Sequence, residues 1–298
     1  MKNNDAFSGL HPVVNFAYFA VVLLLTMFLM HPICLVLALA GALTYAAVLF
    51  GVRRLFRQAL FLLPLLLVTV AISVAFNHRG VTVWAYLPNG NPLTLESAFY
   101  GLTAAVLLAA VMVWFSCCNV VLTSDKFVYL FGRVLPAMSL LLSMTLRFVP
   151  RFRAQAAIVA DAQRCIGRSP KQGNLLQRAR NGLQIFSILV TWALENAVDT
   201  ADSMKSRGYG LKGRTAFSIY RMDRRSMGIL AVVLLEGLYV AVGSFAGALR
   251  WAFYPALEGA PLSFYGASVY LVFFLLCLLP AGMDLWEERK WTRSKSAI

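Results

Sequence analysis

Residues Ala59–Phe76 read ALFLLPLLLVTVAISVAF, eighteen positions without a charge. As an α-helix this run is ~27 Å long, close to the ~30 Å of hydrocarbon in a bilayer. A helix apolar on every side belongs in lipid or in the core of a large protein. Comparable runs cover Val13–Met30, Ile33–Phe50, Ser97–Phe115, Met227–Ala248 and Ser263–Met283, which makes six candidate membrane spans. The first two meet at His31-Pro32, where proline has no N–H with which to continue a helix. No cleavage pattern of small residues follows a short apolar core near the start, so the first segment is expected to be retained.

Composition points the same way. The 298 residues are 60% hydrophobic and 13% charged, against about 25% charged in a soluble domain. A water-soluble fold is excluded. Five cysteines are too few, and odd in number, for a disulfide scaffold. With 21 Phe, 11 Tyr and 6 Trp the chain is not disordered. The expected fold class is an all-α integral membrane protein of about six transmembrane helices, with a cytoplasmic unit of long amphipathic helices.

Charge orients the spans. Arg147–Arg225 holds 15 Lys/Arg and 5 Asp/Glu, a local excess of ten in a chain whose net charge is +14. Basic loops stay on the cytoplasmic side. Arg53, Arg54 and Arg57 follow the second span, Arg79 alone follows the third, Arg250 alone follows the fifth, and Arg289, Lys290, Arg293 and Lys295 close the chain. Both termini and the basic block are therefore expected in the cytoplasm of a prokaryotic plasma or inner membrane. The expected division is 1–116 for four spans, 117–226 for a cytoplasmic domain, and 227–298 for two spans and a tail. Phe131–Val149 is a seventh apolar stretch, but Gly132, Arg133, Pro136 and Arg147 set it along the interface or inside the cytoplasmic unit. Topology and attraction to anionic lipid account for much of the basic excess. No motif for nucleic acid is present, and none is expected as a partner.

Within the basic block, Leu175, Leu176, Ala179, Leu183, Phe186 and Val190 recur at three- and four-residue steps, followed by Ala193, Leu194, Ala197, Val198, Ala201 and Met204. This pattern predicts a long amphipathic helix starting after Asn174 and ending at Gly208 and Gly210, with Lys205 and Arg207 in its last turn. A shorter helix, roughly Pro150–Cys165, ends at Gly167 and is followed by Arg168. Each helix thus finishes in an arginine-and-glycine tip. An arginine fork suits carboxylates and carbonyls on a partner, and glycine lets that partner approach. The plainer reading is a cation complementing a helix C-terminus, worth ~0.3–1 kcal/mol.

Other features carry less. Residues Val81–Tyr86 alternate before an Asn89-Gly90 pair, which predicts a small hairpin, and Glu96 suits a helix start. Gly208–Thr215 imitates a phosphate loop with Arg214 at the lysine position, but a long helix precedes it, so ATP binding is not expected here. His11, His31 and His78, and Cys34, Cys117, Cys118, Cys165 and Cys277, have no ligand spacing, so no metal site is expected. Glu236 lies within the fifth span and is expected to bond Tyr239 or Ser244, or to meet water. Glu195, Asp199 and Asp202 are expected to pair with Lys205 and nearby arginines.

The stretch ADSMKSRGYGLKGRTAFSIYRMDRR, Ala201–Arg225, resembles the transmembrane T component (EcfT/CbiQ type) of energy-coupling factor (ECF) transporters. PAMSLLLSMTLRFVPRF (Pro136–Phe152), ADAQRCIG, and the arrangement from Asn77 to Gly101 extend the likeness. Ser206-Arg207-Gly208 is similar to the second of that family's two Ala-Arg-Gly motifs. At the first motif this chain has Ala162-Gln163-Arg164-Cys165-Ile166-Gly167, so Ile166 stands where the arginine is expected, and Arg164 or Arg168 would replace it. The resemblance implies a non-catalytic coupling subunit for uptake of a vitamin or transition-metal ion. It would dock two cytoplasmic ABC ATPases, which bind the ATP, and a small membrane substrate-binding (S) subunit. Ser206, Arg207, Gly208, Arg164 and Gly167 would dock the ATPases, and Ala193, Ala197 and Ala201 would give close, sliding helix contact. The alternatives are a membrane-embedded enzyme acting on lipid through Glu236 or Glu96, and a self-sufficient permease.

Overall fold

The structure, a computed structural model, describes residues 6–86, 92–132, 136–169, 173–211, 220–259, 261 and 263–295. Its elements in chain order are α1 (Pro12–Phe28), α2 (Pro32–Phe50), α3 (Val52–Phe76), β1 (Val83–Tyr86), β2 (Pro92–Thr94), α4 (Leu95–Val121), α5 (Ser124–Gly132), α6 (Pro136–Cys165), α7 (Leu175–Ser206), α8 (Arg224–Phe245), β3 (Trp251–Ala252), β4 (Glu258–Gly259) and α9 (Phe264–Lys295). Helices α2, α3, α4, α8 and α9 are long and apolar enough to cross a membrane, and α1 follows at 17 residues. The chain is an all-α, multi-pass membrane protein. The expected hairpin is present as the antiparallel pair β1–β2, while its Asn89-Gly90 turn lies outside the described residues.

One helix differs from expectation. The shorter basic-block helix does not begin at Pro150: α6 starts at Pro136 and carries Pro150 inside it. A mid-helix proline removes one N–H, here the donor to the Leu146 carbonyl, and the apolar residues on either side hold the helix through it. The stretch read as a seventh apolar candidate is therefore mostly the first half of α6, which is not among the helices apolar enough to span.

The chain divides into two compact units, Met1–Thr123 with Tyr220–Ile298, and Ser124–Ile219. In the first, α4 packs on α1, α2 and α3, while α9 packs on α2 and α8, and α1 packs on α8. Helix α3 buries only Leu62 and leaves the rest of its apolar surface free for lipid. The two helices α1 and α2 open alike. Pro12 and Pro32 occupy first-turn positions that need no donor. His11 and His31 accept the N–H groups of Val13 and Ile33 through Nδ1, at 3.3 Å each. Burial pushes both imidazoles below their usual range. That keeps them neutral, as an accepting ring nitrogen must be. With Nδ1 accepting, the Nε2–H of His31 is left to donate to the Tyr270 hydroxyl, 3.1 Å away.

The core gathers around Tyr18, whose ring meets Phe7, Phe19 and Trp114 edge-on at centroid distances of 5.0, 5.4 and 6.0 Å. Its hydroxyl donates to the carbonyls of Leu276 and Cys277 in α9, at 3.2 and 3.4 Å. The cause lies four residues on: Pro280, inside α9, has no N–H for the Leu276 carbonyl. In an apolar interior that carbonyl would otherwise be an orphan, at a cost of several kcal/mol. At the same level Gly41 of α2 lies against Cys277, and a Cβ there would come within 2.5 Å of the Cys277 Cβ.

Tyr18→Phe should therefore destabilise the protein by about 1–3 kcal/mol, the cost of leaving one buried acceptor unpaired. Pro280→Ala restores the helical donor. In a double-mutant cycle read by thermal unfolding in detergent, Tyr18→Phe should cost clearly less in the Pro280→Ala background. Equal cost in both backgrounds would show that the hydroxyl does not replace the missing N–H.

Candidate functional site

The second unit is a helical hairpin, α6 and α7, with α5 packed on α6. Asn174 opens α7 with a capping box, its side chain accepting from the helix start while Gln177 reaches back to the Asn174 N–H at 3.3 Å. The Asn196 amide donates to the Trp192 carbonyl at 2.8 Å within a continuous helix of 32 residues. The two helices run antiparallel: Asn181 donates to the Ser169 carbonyl at one end, Phe152 meets Trp192 edge-on at 5.5 Å, and Arg147 and Arg207 line one groove at the other end. The tip of α6 thus lies near Asn181, about two turns into α7, and the tip of α7 lies ~39 Å further along that helix, at 1.5 Å per residue.

Both tips are locked by the same backbone geometry. At the first, Gly167 N–H donates to Arg164 carbonyl at 3.0 Å and Arg168 N–H to Gln163 carbonyl at 2.9 Å. At the second, Gly208 N–H donates to Lys205 carbonyl and Tyr209 N–H to Met204 carbonyl, both at 3.0 Å. These are Schellman closures, which require a left-handed residue, and Gly167 and Gly208 supply it with φ of 78° and 77°. Superposing the two closures matches Ile166 to Arg207, Arg164 to Lys205, Cys165 to Ser206 and Arg168 to Tyr209. Arg164 stands two residues before the matching position, a rotation of about 200° around the helix, and makes only a loose exposed ion pair with Asp161 at 3.9 Å. The first tip presents Ile166, 63% exposed. Arg207 is exposed and caps α7, and Ser206 turns its hydroxyl back to the Ser203 carbonyl at 2.9 Å.

Helix α7 is two-sided. Trp192, Asn196, Thr200 and Met204 are turned toward α6, with the Arg151 guanidinium over the Trp192 ring at 5.6 Å. On the opposite side Leu183, Phe186, Val190 and Leu194 form an exposed apolar stripe, continued by exposed Ala197 and Ala201, with Ala193 half-buried beside it. Trp192 is the anchor that periodicity alone did not single out.

The carboxylates considered for chemistry are otherwise placed. Glu96 is 3% exposed and binds both the N–H of Thr82, at 3.1 Å, and the Thr82 hydroxyl, tying the segment before β1 to the start of α4. The expected Glu236–Tyr239 clamp is not formed: the Tyr239 hydroxyl shares a hydrogen bond with Ser268 Oγ at 2.8 Å, because α9 brings Ser268 against it. Glu236 Oε2 is buried without a hydrogen-bond partner among the described residues. The phosphate-loop imitation runs into residues 212–219, which lie outside the described residues. Among the described residues, Asp199 lines the groove and neither Asp199 nor Asp202 forms an ion pair with Lys205.

Each tip closure depends on its glycine. Gly167→Ala and Gly208→Ala place a side chain at left-handed φ, costing roughly 1–2 kcal/mol, and should speed amide exchange in the last turn of α6 and α7 respectively. Unchanged exchange in both variants would contradict the closure geometry.

Comparison with known proteins then gives the family. The family model described as CbiQ, cobalt transport protein, matches residues 6–217. Among curated proteins the chain is similar to the energy-coupling factor transporter transmembrane protein EcfT of Lactobacillus helveticus, 35% identical over 34% of this chain and 37% of that one. It is also similar to EcfT of Lactococcus lactis subsp. cremoris, 30% identical over 35% of this chain and 40% of that one. EcfT of Thermosediminibacter oceani is 35% identical over 41% of this chain and 46% of the relative. The matches span less than half the length of each of these relatives. With a family match over well more than half of its residues, the chain belongs to the CbiQ family, the T-component type of energy-coupling factor transporters.

Proposed function

We propose that this chain is the non-catalytic coupling subunit of an ECF-type importer. Two cytoplasmic ABC ATPases bind and hydrolyse the ATP, each gripping one end of the α6–α7 hairpin. A small membrane-embedded S subunit carries the vitamin or transition-metal ion and rests on the apolar stripe of α7, where Ala197 and Ala201 permit close, sliding contact. Both termini and the hairpin face the cytoplasm, as the basic block favours.

The observation that carries this reading is the spacing of the tips. Two prongs ~39 Å apart along the α6–α7 hairpin, closed by the same glycine geometry, suit a pair of partners that move relative to each other. A helix is stiff enough to pass that displacement on. The prongs are unequal. Arg207 offers a planar five-donor fork at the second tip, whereas the first tip offers Ile166 at the matching position.

Arg207→Ala should abolish recovery of the ATPases with the tagged chain, because loss of a charge-assisted contact at an interface costs about 2–5 kcal/mol, and should leave membrane insertion intact. Arg164→Ala should have the smaller effect, and Ile166→Arg should tighten ATPase retention. Normal ATPase recovery and uptake with Arg207→Ala would refute the docking role. An equal effect of Arg164→Ala would show that the rotated arginine has taken over the first prong.

A further inference from the structure

Between α6 and α7, near the second tip, lies a groove of about 760 Å³. Arg147 and Arg151, one turn apart on α6, and Arg207 on α7 line it, with Asp199 opposite and Met144 and Phe148 on the floor. Among the described residues none of the three arginines is in an ion pair. Arg151 lies over Trp192, which holds its guanidinium in place. The groove therefore carries a surplus of positive charge beside apolar surface.

The chain leading into it is apolar. The eleven residues Pro136–Leu146 carry no charge, and Met138, Leu141, Leu142 and Leu146 are exposed. As helix this stretch is ~16 Å long, and in the sequence it lies between Arg133 and Arg147, which suits a place along the membrane interface. Arginines flank it in the sequence, and an indole, the usual residue of membrane–water interfaces, stands at the level of Arg151. We propose that the groove seats the phosphate of an anionic phospholipid headgroup on Arg147 and Arg151, with the acyl chains along Met144, Phe148 and the exposed face of α6. An acidic protein segment would use the arginines but would leave the apolar floor and the charge-free approach without purpose. This inference concerns the lipid and stands whether or not the tips dock ATPases.

The test is native mass spectrometry of the full chain in mild detergent with dioleoylphosphatidylglycerol or dioleoylphosphatidylcholine. Phosphatidylglycerol adducts should dominate and should fall roughly 25-fold in Arg147→Gln/Arg151→Gln, as two basic groups facing an anionic surface imply. The double Lys variant should keep most of the binding, which separates charge loss from misfolding. Arg53→Gln/Arg54→Gln, the same charge change on α3, should leave it unchanged. Equal retention of both lipids, or an equal loss in the α3 variant, would overturn the site. So would displacement of the lipid by millimolar inorganic phosphate, which would make free anion the ligand. Binding of a synthetic acidic peptide that depends on Arg147 and Arg151, with phosphatidylglycerol retention independent of them, would replace the lipid with a protein partner.

Discussion

A backbone carbonyl buried in a bilayer must find a donor within the protein, and the membrane unit is organised around one such carbonyl. Pro280 withholds an N–H from Leu276, and Tyr18 supplies a hydroxyl from α1 across to α9. The hydroxyl links α1 to α9 at this turn. Around it the Tyr18 ring draws in Trp114 from α4 and Phe7 from the segment before α1, and Gly41 lets α2 approach the same turn of α9. The proline that weakens one helix thereby specifies the packing of four. Helix α3 is tied to α4 by reciprocal hydrogen bonds of Ser73 and Ser97 to each other's carbonyls and keeps most of its apolar surface outward.

The basic unit obeys a different constraint. Its two long helices end at exposed tips, so their ends need closing, and both are closed by a left-handed glycine with two backbone hydrogen bonds. The closure aims the residue just before the glycine outward. That residue is Arg207 at one tip and Ile166 at the other, which makes the hairpin chemically lopsided while its backbone is repeated. The face of α7 turned to α6 is fixed by Trp192 and the Arg151 stacked on it, leaving the opposite stripe open.

Much of this was legible in the sequence because it rests on local rules. The start of α7 was visible in Asn174, its end in Gly208, and the spans in runs free of charge. At the first tip the family resemblance marks Ile166 where an arginine is expected, and the closure geometry matches Ile166 to Arg207. What could not be read depends on residues far apart. The Tyr18 bond joins positions 258 residues distant, and Tyr239 chose Ser268 over Glu236 because α9 packs beside α8. The start of α6 was misplaced because proline favours first turns, and here it is embedded in a helix whose apolar residues outweigh one lost hydrogen bond.

The most direct measurement is the composition and activity of the purified assembly. Native mass spectrometry of the tagged chain from membranes should give one copy with two ATPase chains and one small membrane subunit, with substrate uptake in liposomes requiring all of them and ATP. Solute flux or catalytic turnover by the isolated chain alone, at rates no lower than those of the assembly, would contradict a coupling role.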